Sequence, residues 1–194
     1  MTTTATTISP ERAKAQEYLT TRAEAMTPHQ IRARMRAAVV ELDAAVDGVA
    51  QEAARASVVP GEWTIAQVVD HVAQGTIRVA DELRCLVEGR TPPAVPVYEG
   101  IVSGAAHRVP FTELLEGMRA ANAEVDALLG RAIESEPPVG ATARTILVFN
   151  RADATEEFFD MNLTWKGYAM CQRLHLLDHR TQIKKLREAQ GRQA

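Results

Sequence analysis

Trp63-Thr64-Ile65-Ala66-Gln67-Val68-Val69-Asp70-His71-Val72 has the pattern of a helix start running into an apolar face. Thr64 followed three residues later by Gln67 forms a capping box, in which a hydroxyl and an amide satisfy donors left bare at a helix start. Beyond it Ile65, Val68, Val69, Val72, Val79, Leu83, Leu86 and Val87 recur at helical spacing. At about 100° per residue they gather on one side of a helix. Glu88-Gly89 ends the pattern, with Gly89 as C-cap. A helix this long with one apolar face must bury that face against other elements. His71 projects about 110° from the centre of the stripe, at the edge of the buried face.

The same grammar recurs on both sides. Ser9-Pro10 reads as an N-cap with proline at the first helical position, opening a short helix over Glu11 to Ala25. Thr27-Pro28-His29-Gln30 repeats the capping box, and Ile31, Met35, Val39, Leu42, Val46 and Val49 predict a long helix to about Arg55. His29 falls in its first turn and is expected to be solvated. After Gly89, four prolines between 90 and 110 exclude a continuous helix. A connection of about 20 residues is long for a compact domain and often functional. His107 lies in it, as an exposed loop histidine. A third helix is expected from Thr112, as N-cap, to about Glu134, where Pro137-Pro138 stops it. Thr145-Ile146-Leu147-Val148-Phe149 is β-branched, and with a turn at Asn150-Arg151-Ala152-Asp153 and a partner at Thr155 to Phe159 it predicts a small hairpin. A fourth helix covers roughly Leu163 to Ala189. The expected class is all-α: a four-helix bundle with long crossover loops, a short N-terminal helix and a small β-hairpin. We expect one domain over 1–194, its core at about 28–190, with 1–9 disordered.

Composition narrows the function. A net charge of −3 gives no basic excess for nucleic acid. No apolar run approaches the roughly 18 to 20 residues that span a bilayer, and the polar Met1 to Ile8 is not a secretory signal. Cys85 and Cys171 have no C-x-x-C spacing and read as buried thiols of a reduced, cytoplasmic protein.

Two of the five histidines, His175 and His179, stand four residues apart in the fourth helix. Residues four apart lie one above the other, so two imidazoles can hold one ion between them. Helical projection puts Tyr168, Cys171, His175, Gln182 and Leu186 on one face, with His179 about 40° away. Leu177 points the other way, towards another element or a dimer partner. Hydrogen-bonded core histidines are the bland explanation of such a pair. His71, on a different helix, is the third histidine placed to converge.

Two segments carry a family resemblance. Trp63 to Val72 resembles the W-[ST]…H-[LV] opening of the second helix in DinB/YfiT-like proteins. Leu174-His175-Leu176-Leu177-Asp178-His179-Arg180-Thr181-Gln182-Ile183 resembles their H-x-x-x-H-R-x-Q-I signature. Thr181 stands where many relatives have glycine, and 144–159 matches no pattern of theirs. The resemblance implies a four-helix bundle in which His71, His175 and His179 bind one divalent transition metal ion (Zn, Ni or Fe), leaving positions for water or substrate. It also implies a metal-dependent enzyme acting on a small molecule, either a low-molecular-weight-thiol S-transferase or a hydrolase. The alternative is a non-catalytic, metal- or small-molecule-binding stress-response bundle. The expected partner is a small-molecule substrate, with no nucleic acid and no membrane, and with a homodimer as an open expectation.

Other side chains have smaller claims. Tyr168 is a candidate to hydrogen-bond a substrate, against the reading of a core tyrosine. Gln182 is a candidate partner of a ligand histidine. Cys171 is expected to be buried and inert, Trp63 to anchor the helix entry by packing. Asp70 and Asp178 are turned about 100° from their histidine neighbours and given no role. No general base stands out.

Overall fold

The computed structural model describes residues 9–93, 102–150 and 156–192. The helices are α1 (Pro10–Glu17), α2 (Ala23–Ala25), α3 (Pro28–Val46), α4 (Gln51–Arg55), α5 (Ile65–Val87), α6 (Phe111–Ser135) and α7 (Trp165–Gly191). A hairpin of β1 (Ala143–Asn150) and β2 (Glu156–Leu163) leads into α7. The mostly-α class with a small hairpin is as expected. Among the described residues, no helix is long and apolar enough to cross a membrane.

Both capping boxes form. Thr27 Oγ1 accepts from Gln30 N and Gln30 Oε1 from Thr27 N, and Thr64 and Gln67 repeat the exchange. Four long helices then close a ring: α3 packs on α6 and α7, and α5 packs on the same two. Consecutive α3 and α5 therefore stand across the bundle from each other, and α7 fills a place between them. The enclosed core includes Ile31, Leu42, Leu83, Leu128, Met170 and Leu176.

Several boundaries differ from expectation for local reasons. The helix from Pro28 stops at Val46, not at Arg55, because Gly48 takes φ +68 and starts a break before α4. Thr112 is not a cap: α6 starts at Phe111, behind Pro110, whose fixed φ suits a helix entrance. Leu163 belongs to β2, and Thr164 caps α7 by accepting from Gly167 N at 3.4 Å. The hairpin is longer than the β-branched run, pairing antiparallel from Ala143↔Leu163 to Asn150↔Glu156. The expected turn at 151–153, the disorder expected over 1–8 and Pro96 of the long connection lie outside the described residues. Ser9 is ordered, its Oγ accepting from Arg12 N.

The N-terminal segment braces α7. Between α1 and α2, residues Tyr18–Arg22 form a π turn. Tyr18 OH accepts from Arg173 Nη1 at 3.1 Å, and Lys166 Nζ donates to the carbonyls of Glu24 and Met26. Gly167 permits the close crossing, since a Cβ there would stand 2.5 Å from the Leu19 carbonyl oxygen.

The long connection after α5 is tied down at its second end. Asp70, buried on α5, accepts from Ser103 N (3.0 Å), Ser103 Oγ (2.7 Å) and Gly104 N (3.1 Å). Arg55 donates to the Ala106 and Val109 carbonyls. Asp70 thus has a role that its helical position hides, because its partners arrive from a distant loop. His107 sits in the short 3₁₀ turn Ala105–His107, in this loop and exposed.

Candidate metal centre

His71 on α5 and His175 and His179 on α7 meet. Ring centroids lie 5.0 Å apart for His71–His175, 4.7 Å for His71–His179 and 4.4 Å for His175–His179. One nitrogen from each ring falls within 4.8 Å of the other two. All three histidines singled out from the sequence are brought together, while His29 and His107 belong to other elements.

Contacts between α5 and α7 run as rungs. His71 faces His179, Gly75 faces His175, Thr76 accepts from Gln172 Nε2 at 2.9 Å, and Tyr168 OH donates to Glu82. Numbers rise along one helix as they fall along the other, so the two run antiparallel. The rungs border an open cleft of about 1280 Å³, lined also by Trp63, Arg78, Cys171, Asp178, Gln182 and residues 144–148 of β1. Trp63 is more than a packing anchor: its ring lies 4.9 Å from His71 and stacks at 16° over His179, 6.5 Å away. Leu177 is half-buried against the core and lines the cleft.

The protonation pattern suits ligation. Burial first, then the neighbouring imidazoles His179 and His71, holds His175 well below the ordinary histidine range. Burial also lowers His179, against the hydrogen bond that its ring donates to Gln182. Both rings are therefore neutral at neutral pH. Gln182 Oε1 stands 2.9 Å from His179 Nδ1. An amide oxygen only accepts, so Nδ1 carries the proton and Nε2 keeps its lone pair for the centre. His175 Nε2 is enclosed and has no hydrogen-bond partner among the described residues. A buried nitrogen left so is costly.

These residues fit a metal ion. Bond lengths near 2 Å put tetrahedral nitrogens about 3.4 Å apart. Nitrogens within 4.8 Å reach that spacing with shifts under about 1 Å, which side-chain rotation supplies. An ion would also give His175 Nε2 the partner it lacks. Three imidazole ligands leave a coordination position free, the arrangement of catalytic rather than structural sites.

Seven residues from the His175 rung, about 10 Å along the helix, lies a cluster that sequence reasoning missed. Glu82, 5% exposed, accepts from Tyr168 OH and from Arg78 Nε at 2.8 Å. Burial, then the Glu82 charge, raises Tyr168 far above its ordinary value, so its hydroxyl stays protonated. Its position as i+11 from His71, on the cleft side with Gly75 and Arg78, was the available signal for Glu82. Burial pushes the Cys171 thiol up to about 11, which keeps it unreactive, as expected. Neither cysteine is in a disulfide, and both residues are half-buried rather than buried as expected.

The chain belongs to the DinB superfamily, whose family model matches residues 13–150. That match ends before α7, so it includes His71 but neither His175 nor His179. No curated protein and no solved structure matches the chain.

Proposed function

We propose that His71, His175 and His179 bind one divalent transition metal ion, and that the protein is a metal-dependent enzyme acting on a small molecule in the α5–α7 cleft. The observation that carries this reading is the enclosed, unpartnered His175 Nε2 at the meeting point of three imidazoles. When bound, such an ion supplies a nucleophile at neutral pH by lowering the pKa of a thiol or of water. The chain's own residues do the rest. Gln182 fixes the His179 tautomer, and Trp63 shields the ring from solvent on one side. The Tyr168–Glu82–Arg78 cluster gives the cleft polar groups to orient a substrate, which favours an enzyme over a passive binding bundle. Thiol S-transfer is the reaction we place first, since it asks for no general base beside the histidines; hydrolysis is second.

Two measurements test this. Elemental analysis of protein purified without a metal-affinity tag should show close to one transition metal per chain, lost in His175→Ala. Metal-free protein that gains no thermal stability from Zn or Ni would sink the site. A panel of cytosolic thiols with a generic electrophile should then show metal-dependent turnover. None with any thiol, but hydrolysis of activated esters, would replace transferase by hydrolase.

A further inference from the structure

Gly75 lies inside α5, where glycine is less favourable than any residue but proline. The usual reasons for glycine are missing. Its φ is not among the positive ones. Nor does a neighbouring backbone press against it, as the Leu19 carbonyl presses on Gly167. A Cβ at 75 would meet a single atom within 4 Å, His175 Nε2 at 3.5 Å. That is ordinary contact, so alanine would fit. What alanine would do is lay a methyl group against the buried nitrogen that has no partner. The rungs on either side are filled, by His71 against His179 and by Thr76 against Gln172. Gly75 is a gap in the α5 wall between them, and it opens into the cleft. By contrast Gly117 is an exposed mid-helix glycine whose Cβ would meet nothing.

We propose that Gly75 is a specificity-determining residue of the histidine centre: the side chain it lacks keeps open the space beside His175 Nε2 through which a small anionic head group reaches the ion. This rests on the metal reading above. The ligand class is a thiolate or a similarly narrow anion, entering from the α5 side and continuing into the groove towards Gln172 and Tyr168. A larger residue at 75 closes that entrance without removing a ligand histidine.

The test uses the full chain loaded with Co(II), with azide as probe and visible absorption as readout, in wild type, Gly75→Ala, Gly75→Val and the control Gly117→Ala. We expect one cobalt per chain in wild type, Gly75→Ala and Gly117→Ala. Azide should bind Gly75→Ala at least tenfold more weakly than wild type and not measurably bind Gly75→Val. Gly117→Ala should match wild type. Both alanine variants should melt at or above the wild-type temperature, which separates a closed entrance from a damaged fold. Equal azide affinity in Gly75→Ala and wild type would overturn the proposal. So would loss of cobalt from Gly75→Ala, or a cobalt-loaded wild type that takes no azide. Wild type that holds no cobalt fails the metal reading itself, and is seen before any variant is compared.

Discussion

Helix α5 turns one face to α6 and another to α7, and the two seams are made of different material. The buried residues that α5 and α6 bring to the bundle are mainly apolar, among them Leu83, Leu86 and Val87 on α5 and Val125, Leu128 and Leu129 on α6, with Asn122 as a buried amide. Charge stays at the rim, where Arg84 bridges to Glu124 at 3.0 Å. Towards α7 stand His71, Thr76 and Glu82 against His179, Gln172 and Tyr168. Buried polar and ionic pairs add little net stability compared with apolar residues of similar volume. One helix thus holds the bundle with one side and builds a reactive cleft with the other. Perturbed titratable groups gather on the second side, as they do at functional sites.

The largest expected effect attacks the apolar seam. Leu83→Ala should cost about 2–5 kcal/mol in urea unfolding, because Leu83 is wholly buried and leaves a cavity. Metal content should stay near one per chain; release of the ion would show that the two seams are not separable. Gly167→Ala comes next, at about 1–3 kcal/mol, because the added Cβ collides with backbone and must push the N-terminal segment away. Proteolysis should then cut first near Leu19. Gln182→Ala acts on the polar seam alone. Freeing the His179 ring should weaken metal affinity by about 10- to 100-fold, read by chelator competition, with an unfolding midpoint close to wild type.

A dependence on pH comes last. In the metal-free protein burial holds His175 and His179 below the ordinary histidine value. As pH falls through about 6.5, the unfolded chain takes up protons and the folded one does not. Stability is therefore full above pH 7 and declines towards pH 5, by at most about 1.4 kcal/mol per pH unit for each histidine. Asp126, lowered by hydrogen bonds from Arg36 and Arg32, loses its contribution only in more acidic solution, below its ordinary value of 3.8. A midpoint unchanged between pH 7.5 and 5.5 would mean that the two rings are solvated.

What the sequence disclosed follows from where each signal resides. Capping boxes are written within four residues, and both form as read. The histidine face of α7 and the edge position of His71 follow from helical periodicity, so their convergence was within reach. The break at Gly48 was masked because Val46 and Val49 continue the apolar spacing across Asp47-Gly48. Asp70 and Glu82 were passed over for another reason. Each is buried by partners 33 and 86 residues away in sequence, and no local pattern announces such a meeting. The π turn at Tyr18–Arg22 likewise answers to the crossing with α7 rather than to its own letters.

The rungs between α5 and α7 have one more consequence, for alignment. Two antiparallel helices with apolar seams can slide by a turn, about 5.4 Å, and still bury comparable surface. A slide here would set His175 against His71 and leave His179 facing Gln67, while pulling Gln172 from Thr76 and Tyr168 from Glu82. The polar pairs far from the histidines therefore act like the marks of a vernier. They allow one setting of α7, the setting in which three imidazoles share a point.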